Sequence, residues 1–168
     1  PTRHWTELSD FDLNTGDIKI LWEPSRFDWL THLARAYRVT GEKKYLETIN
    51  EWLQDWSKNN PKNQGPNWKC GQETGIRVMK LITTSQILNQ DKTALPGLKQ
   101  MIVEHLERID GNINYALAQD NNHGTSEAAA LYIGAVWLLQ QPLPLETAPI
   151  IKWRDKGRRL LENRILKL

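Results

Sequence analysis

Residues 125–139 read TSEAAALYIGAVWLL, and this stretch decides the fold class. From Ala128 onward it is apolar nearly all round, yet it is too short to cross a bilayer and contains both a Trp and a Gly. A helix that is apolar on every side is buried among other elements. The sequence therefore predicts a central helix here, with Leu131, Ile133 and Val136 shielded from solvent.

Helical periodicity predicts further helices on both sides of this stretch. Apolar residues recur at steps of three and four in five other segments, and no alternation long enough for a sheet competes with them. The segments begin near Pro24, Glu42, Gly71, Leu95 and Ile150. Because most connectors are short, we expect antiparallel αα-hairpins in an all-α fold.

Some finer expectations concern individual segments. A weak alternation at Ile18, Ile20 and Trp22 predicts a short extended stretch. The fourth helix is expected to continue as a shorter helix past Ile113. The inward face of the third helix is predicted to carry four apolar positions. They are Ile76, Met79, Ile82 or Thr83, and Ile87.

Composition limits the classes of function. The chain has 168 residues, of which 39% are hydrophobic, so residues 1–168 suit a single domain with one core. A net charge of +2 gives no electrostatic argument for nucleic acid, and no segment predicts membrane insertion, a metal site or a cofactor. The 8 Trp residues outnumber 2 Phe and 4 Tyr, and Trp suits both helix packing and sugar faces.

The first polar constellation is Asn67-Trp68-Lys69-Cys70-Gly71-Gln72-Glu73-Thr74-Gly75-Ile76-Arg77. Glu73 and Arg77 are four residues apart on a predicted helix, so they share a face and can pair. The structural interpretation is a helix start with an exposed ion pair. The functional one is that Arg77, held by Glu73, directs its guanidinium at a carboxylate or sulfate, with Trp68 as a sugar platform.

The second constellation is Asn121-Asn122-His123-Gly124-Thr125-Ser126-Glu127. An Asn at a helix start caps orphan N–H groups, which is the structural interpretation. The functional one is elimination from a uronic acid, which removes a weakly acidic C5 proton. That reaction needs hydrogen-bond donors that neutralise the adjacent carboxylate, which Asn supplies, and a group that moves the proton, which His123 can be.

Five linked motifs resemble the helical domain of the heparinase II/III-type lyases, in the family's order and over nearly the whole chain. They are Asp12-Leu13-Asn14-x-Gly16-Asp17-Ile18-Lys19-x-x-Trp22-Glu23-x-Ser25-Arg26-Phe27; Tyr37-x-x-Thr40-Gly41; Asn60-Pro61; Gly65-x-Asn67-Trp68-x-Cys70-Gly71-Gln72-Glu73-x-x-Ile76-Arg77; and Asn121-Asn122-His123-x-x-x-Glu127-Ala128.

The resemblance implies part of an incomplete (α/α) toroid, with a β-sandwich domain expected downstream. It also implies eliminative cleavage of a uronate-containing acidic polysaccharide, in the periplasm or outside the cell, without a cofactor. Asn122 matches the Asn that neutralises the substrate carboxylate, and His123 matches the His of the alginate-type relatives. The implied substrate-binding residues are Trp22, Arg26, Asn67, Trp68, Gln72, Glu73, Arg77 and Asn121.

The resemblance also implies that this chain is the first part of a longer toroid. The family's catalytic Tyr lies on a later segment, and Tyr115 and Tyr132 fall in the wrong places to match it. The partner it lacks is the C-terminal part of the same protein, so we expect little or no activity from these 168 residues alone.

Two other functions stay open at this stage. One is a carbohydrate-binding or surface-polysaccharide biosynthesis relative that keeps the cleft without the chemistry. The other is a glycoside hydrolase, which needs two carboxylates, and Glu73 and Glu127 are the only plausible pair.

The topology makes two geometric predictions. Alternate loops of stacked αα-hairpins emerge at the same end, so residues 22–26, 67–77 and 121–123 are expected to converge on one concave face. The last helix is expected to expose an apolar strip around Trp153, Leu160 and Leu161, where further helices of a toroid would pack.

Overall fold

A computed structural model of the chain describes residues 2–9, 16–142 and 146–166. The motif residues Asp12, Leu13 and Asn14, and Pro144 of the predicted break before the last helix, lie outside these ranges. Within them the chain is helical, and the β-structure is one isolated bridge between His4 and Gln64. The all-α prediction is confirmed.

Seven α-helices are found in the described residues, with three short 3-10 helices before and between them. The α-helices are α1 (Lys19–Trp22), α2 (Asp28–Thr40), α3 (Lys44–Asn59), α4 (Gly71–Ile87), α5 (Pro96–Ala118), α6 (Asn122–Leu139) and α7 (Thr147–Ile165). The 3-10 helices are Trp5–Glu7, Pro24–Arg26 and Pro66–Trp68.

Local sequence explains several of these ends. Gly41 ends α2 with a left-handed φ of 72°, and its N–H bonds the carbonyl of Tyr37. Pro96 occupies the first turn of α5, where its missing N–H costs nothing. Asn121 caps α6 with its side chain.

The long helices form three consecutive hairpins, α2–α3, α4–α5 and α6–α7. Their first members run in the same direction: Gly71 of α4 lies beside Glu127 of α6, and Gly75, one turn on, lies beside Ala130. Directly before α2, Arg26 bonds both carboxylate oxygens of Glu73 in the first turn of α4, at 2.8 and 2.7 Å. The N-terminal ends of α2, α4 and α6 therefore lie at one end of the fold.

Helix α6 is central, as its sequence predicts. It packs against α4, α5 and α7, and no residue from His123 to Leu139 is exposed. Leu131 is fully buried, while Ile133 and Val136 are partly buried. No helix in the described part of the chain combines the length and the apolar character that crossing a membrane requires.

The contact between α6 and α7 depends on Gly157. A Cβ at this position would lie 2.6 Å from the backbone nitrogen of Tyr132 and 3.1 Å from the carbonyl of Ala128. These are backbone atoms, so they cannot move aside as a flexible side chain would.

We therefore expect Gly157→Ala to lower the free energy of unfolding of the 168-residue chain by about 1–3 kcal/mol, since it overpacks a tight helix contact. The matched control is Gly111→Ala on α5, because a Cβ there meets nothing within 4 Å. That change should raise stability by about 0.5–1 kcal/mol through helix propensity. Urea unfolding measures both, and equal effects at the two sites would contradict the packing shown.

Two finer predictions are wrong. Residues 19–22 are helical, not extended, whereas the expected continuation past Ile113 is present as part of α5, which runs to Ala118. Met79 is 37% exposed because the buried face of α4 is rotated toward Val78 and Leu81.

The predicted apolar strip on the last helix is also wrong. Trp153 is only 7% exposed, and its indole N–H donates to Asp110 of α5 at 3.1 Å. Leu160 and Leu161 are half-buried against the core. These three residues of α7 therefore pack within the described part of the chain, whereas Ile151 and Ile165 are exposed.

Candidate functional site

The three polar segments singled out in the sequence lie at the same end of the fold, because each one precedes or begins α2, α4 or α6. Residues 22–26 meet the second segment through Trp22, whose indole donates to the carbonyl of Pro66 at 2.9 Å. Residues 121–123 reach it through α6, since Glu127 packs against Gly71. The prediction that these segments lie at the same end of the helices is confirmed.

The loop that enters α4 is held by side chains bonded to its backbone carbonyls. Four consecutive carbonyls, those of residues 66–69, each accept a hydrogen bond from Trp22, Arg77 or Arg108. The bonds from the arginines are Arg77 Nη2 to Asn67 O (2.6 Å), Arg108 Nε to Trp68 O (2.7 Å) and Arg108 Nη2 to Lys69 O (2.7 Å). The two guanidinium groups thus fix the shape of this loop.

Arg77 is fully buried, so the prediction that it directs its guanidinium at a substrate is wrong for this structure. Its Cζ lies 5.2 Å from the ring of Trp56 and 5.9 Å from that of Trp68. Burial lowers the pKa of Arg77 to about 9. Aromatic faces and loop carbonyls, which attract cations, surround the charge.

His105 completes this buried cluster. Its Nε2 accepts from Arg77 Nε at 3.0 Å, and its Nδ1 lies 2.7 Å from the carbonyl of Met101. Desolvation and the nearby Arg77 charge lower the pKa of His105 well below its usual range, which keeps the ring neutral. A neutral ring with Nδ1–H satisfies both contacts, because it donates to Met101 and accepts from Arg77.

The predicted pairing of Glu73 with Arg77 is also wrong. Both carboxylate oxygens of Glu73 accept from Arg26, at 2.8 Å from Nε and 2.7 Å from Nη2. Glu73 is buried, whereas the Arg26 side chain is 33% exposed. Hydrogen bonding to Glu73, followed by its charge, raises the pKa of Arg26. Of the two arginines in the predicted set, it is Arg26 that reaches the surface.

Trp68 and Asn67 are structural in this arrangement. Trp68 is 1% exposed, and its indole donates to the carbonyl of Asn60 at 3.0 Å, so its ring offers no free face to a sugar. Asn67 is 8% exposed and donates to Asn60 Oδ1 at 2.8 Å. The prediction of Trp68 as a sugar platform is therefore wrong for this structure.

The start of α6 separates its two asparagines. Asn121 is the cap, because its Oδ1 accepts from the N–H of His123 at 2.9 Å. Asn122 is exposed and His123 is partly exposed, and neither side chain has a hydrogen-bond partner in the described part of the chain. The same holds for the half-buried amide of Gln72. Asn122, His123 and Gln72 are thus free to meet a ligand.

Sequence reasoning missed Arg108, His105 and Arg164. For the first two a signal was present, since both lie among Ile102, Leu106 and Ile109 on the apolar face of α5. A polar residue within an apolar stripe indicates a buried polar contact. Arg164, which contacts the turn before α6, had no such signal.

Glu127 is buried at the junction of α4 and α6. A Cβ at Gly71 would lie only 2.4 Å from its carboxylate, so the absence of a side chain at Gly71 makes room for it. Burial raises the pKa of Glu127 to about 7, and the charge of Arg108 opposes that shift. The pKa of the neighbouring Cys70 thiol is raised too, chiefly by burial.

Because the pKa of Glu127 is raised, we expect the stability of the protein to depend on pH. The folded-state pKa of about 7 is above the ordinary value of 4.5, so the folded protein binds this proton more tightly than the unfolded one. The resulting stabilisation is complete below about pH 4.5 and is lost as pH rises through 7. It amounts to at most about 3 kcal/mol.

Glu127→Gln should remove this part of the slope of stability against pH. Urea unfolding of wild type and variant between pH 5 and roughly 8 measures it. Glu51→Gln, at an exposed position of α3, is the control and should keep the wild-type slope. Parallel curves for wild type and Glu127→Gln would contradict the protonated carboxyl.

Residues 5–167 match the family described as heparinase II/III N-terminus. The chain belongs to this family. No group of three or more His, Cys, Asp or Glu side chains within the described residues is placed to hold a metal ion.

Two similar proteins are heparin-sulfate lyases. A heparin-sulfate lyase of Bacteroides thetaiotaomicron is 27% identical over 146 residues, which cover 83% of this chain and 20% of that protein. A heparin-sulfate lyase of Bacteroides stercoris is 38% identical over 45 residues, or 27% of this chain and 7% of that protein.

A solved structure, the crystal structure of heparinase III, matches with a TM-score of 0.67 at 22% identity, over 86% of this chain and 22% of that one. The fold is therefore part of an (α/α) toroid. The Bacteroides thetaiotaomicron lyase and heparinase III both match most of this chain, but the chain spans only about a fifth of the length of either protein.

Proposed function

We propose that the full-length protein is a lyase that cleaves a uronate-containing acidic polysaccharide by β-elimination, with Asn122 and His123 in its catalytic site. The observation that carries this proposal is that neighbouring residues have different roles at the start of α6. Asn121 supplies the helix cap, which leaves the Asn122 and His123 side chains unpaired and accessible. An Asn required only for capping would not need a second Asn beside it.

The chemistry suits these groups. A base removes the C5 proton of the uronate, the electron pair forms the C4–C5 double bond, and the C4–O bond breaks as the leaving oxygen takes a proton. The negative charge that develops on the carboxylate is stabilised by hydrogen-bond donors held in place beforehand. The amide of Asn122 can donate to the carboxylate, and the ring of His123 can accept or donate a proton.

The surroundings favour a negatively charged sugar. The N-terminal ends of α4 and α6 lie side by side at this end, and a helix N-terminus carries a partial positive charge. Arg26 is partly exposed at the same end, and Gln72 adds a free amide in the first turn of α4. These groups, together with Trp22 and Asn121, form the proposed substrate-binding surface.

The remaining parts of the proposal rest on the family. A catalytic Tyr and the rest of the toroid come from the C-terminal part of the same protein, and the 168 residues alone are expected to be inactive. The substrate is a glycosaminoglycan-like polymer or another polyuronate such as alginate, and the protein acts in the periplasm or outside the cell. The names of the heparin-sulfate lyase relatives support the first of these substrates.

The hydrolase alternative loses its support in the structure. Both carboxylate oxygens of Glu73 accept hydrogen bonds from Arg26, and Glu127 is buried against Gly71. Neither carboxyl is free to act as a nucleophile or base at an open cleft. A non-catalytic carbohydrate-binding relative remains the second candidate, because the same free amides would bind a sugar without the missing Tyr.

The test is to incubate the full-length protein with heparan sulfate, heparin, hyaluronan, alginate and polygalacturonate. Elimination creates an unsaturated uronate that absorbs in the ultraviolet, whereas hydrolysis creates reducing ends without this absorbance. Rising absorbance with one polymer supports the lyase. Binding of a polymer without any cleavage would instead identify a carbohydrate-binding relative.

A further inference from the structure

Arg164, near the end of α7, contacts the turn that carries the proposed catalytic pair. Its Nη1 donates to Asp120 Oδ1 at 2.6 Å and its Nη2 to the carbonyl of Asn121 at 2.8 Å, while its Nε lies 3.4 Å from Thr125 Oγ1. The acceptors lie 39 to 44 residues away along the chain. They flank Asn122 and His123 on both sides.

The turn needs such support. Asp120 adopts a left-handed φ of 46°, which is unfavourable for a residue other than glycine. Asn121 and Asn122 are exposed, so little packing holds them. The Arg164 side chain, in contrast, is only 18% exposed. Its surroundings therefore restrict its motion, and its hydrogen bonds can restrict the turn.

We propose that Arg164 is a positioning residue of the elimination, which fixes the turn at residues 120–125 so that Asn122 and His123 face the substrate carboxylate. This inference rests on the proposed function. Arg164 does not touch the reacting atoms: it acts through the backbone of Asn121 and the side chain of Asp120.

Geometry gives the reason for a large effect. A catalytic donor displaced by about 1 Å can cost on the order of 10²-fold in rate. A planar guanidinium with several fixed N–H donors can hold three acceptors at once, whereas the ammonium of a lysine is a point charge on a flexible stem. Arg164→Lys should therefore restore only part of what Arg164→Gln removes.

The experiment compares four forms of the full-length protein: wild type, Arg164→Gln, Arg164→Lys and the control Arg158→Gln. Arg158 lies on the same helix, but its partner is Glu162, four residues on, and its side chain is 66% exposed. We measure kcat and KM on the polymer that the wild type cleaves, and hydrogen exchange of the backbone amides of residues 120–125.

Arg164→Gln is expected to lower kcat by about 10–100-fold with little change in KM, since it misplaces donors that act in the transition state. Amide exchange at residues 120–125 should rise, and Arg164→Lys should fall between Gln and wild type. Arg158→Gln should match the wild type in both. A merely structural role for Arg164 would lower the melting temperature without this local rise in exchange and without a selective loss of kcat.

If amide exchange at residues 120–125 is unchanged in Arg164→Gln, the proposal is overturned. It is also overturned if exchange rises in this variant but kcat stays at the wild-type value. If Arg164→Gln does not fold, Asp120→Asn removes the charge of one acceptor, weakens its bond to Arg164 and should raise exchange in the same segment. Unchanged exchange there overturns the proposal too. If the wild type eliminates no polymer, the proposed function fails on its own, and the exchange data still decide whether Arg164 orders the turn.

Discussion

Replacing Asn122 by alanine in the full-length protein is expected to lower kcat by about 10²–10³-fold, or roughly 3–4 kcal/mol of transition-state stabilisation. The amide would donate mainly to the charge that develops on the substrate carboxylate, and the loss of such an interaction appears in kcat. The melting temperature should stay nearly unchanged, because the Asn122 side chain makes no hydrogen bond within the described residues. Steady-state kinetics and thermal melts measure the two effects.

Asn121→Ala is the matched comparison on the neighbouring residue. It removes the cap of α6, whose Oδ1 accepts from His123 N at 2.9 Å, and should cost about 1 kcal/mol of stability. Asn122→Ala should show no such loss. An Asn122→Ala protein that melts early yet cleaves at the wild-type rate would make Asn122 a structural residue and remove the basis of the proposed site.

The second large effect is expected at Arg77. Arg77→Ala should lower the free energy of unfolding of the 168-residue chain by about 3–5 kcal/mol, because it removes a large buried side chain together with its hydrogen bonds. The change leaves a cavity between Trp56 and Trp68, and it takes the hydrogen-bond donors away from His105 Nε2 and the carbonyl of Asn67. Buried acceptors without partners are costly. Urea unfolding followed by tryptophan fluorescence measures the loss.

Arg154→Ala on α7 is the control, because that guanidinium is paired with Asp155 at the surface. An exposed pair of this kind contributes little to stability. If Arg77→Ala proved as stable as wild type but bound substrate less tightly, Arg77 would face the ligand as the sequence analysis predicted, and the buried position would be wrong.

The hairpins and the end at which the polar loops meet could be predicted because they depend on local periodicity. Steps of three and four in segments such as Tyr45 to Trp56 define amphipathic helices, and short connectors force neighbours to be antiparallel. Alternate helices then start at the same end, which places residues 67–77 and 121–123 together. No information about distant contacts is needed for these steps.

The faces of α4 and the partners of its polar residues could not be predicted in the same way. Helix α4 carries apolar and polar residues on more than one side, so a face with Met79 inward fits its pattern about as well as the observed face with Val78 inward. Likewise, the spacing of Glu73 and Arg77 allows a pair within the helix, but Arg26 forms a two-bond contact that is stronger.

For this protein, the sequence by itself determined that the fold is all-α, that α6 is central, and that α2 ends at Gly41. These features follow from the hydrophobicity and backbone preferences of neighbouring residues. Only the tertiary structure decided which polar side chains support the loop and which are free. Arg77 is buried because His105 and Trp56, 28 and 21 positions away, surround it, whereas Asn122 is free because Asn121 already satisfies the helix end. Burial of a charge depends on partners brought together by folding, and the local sequence does not contain them.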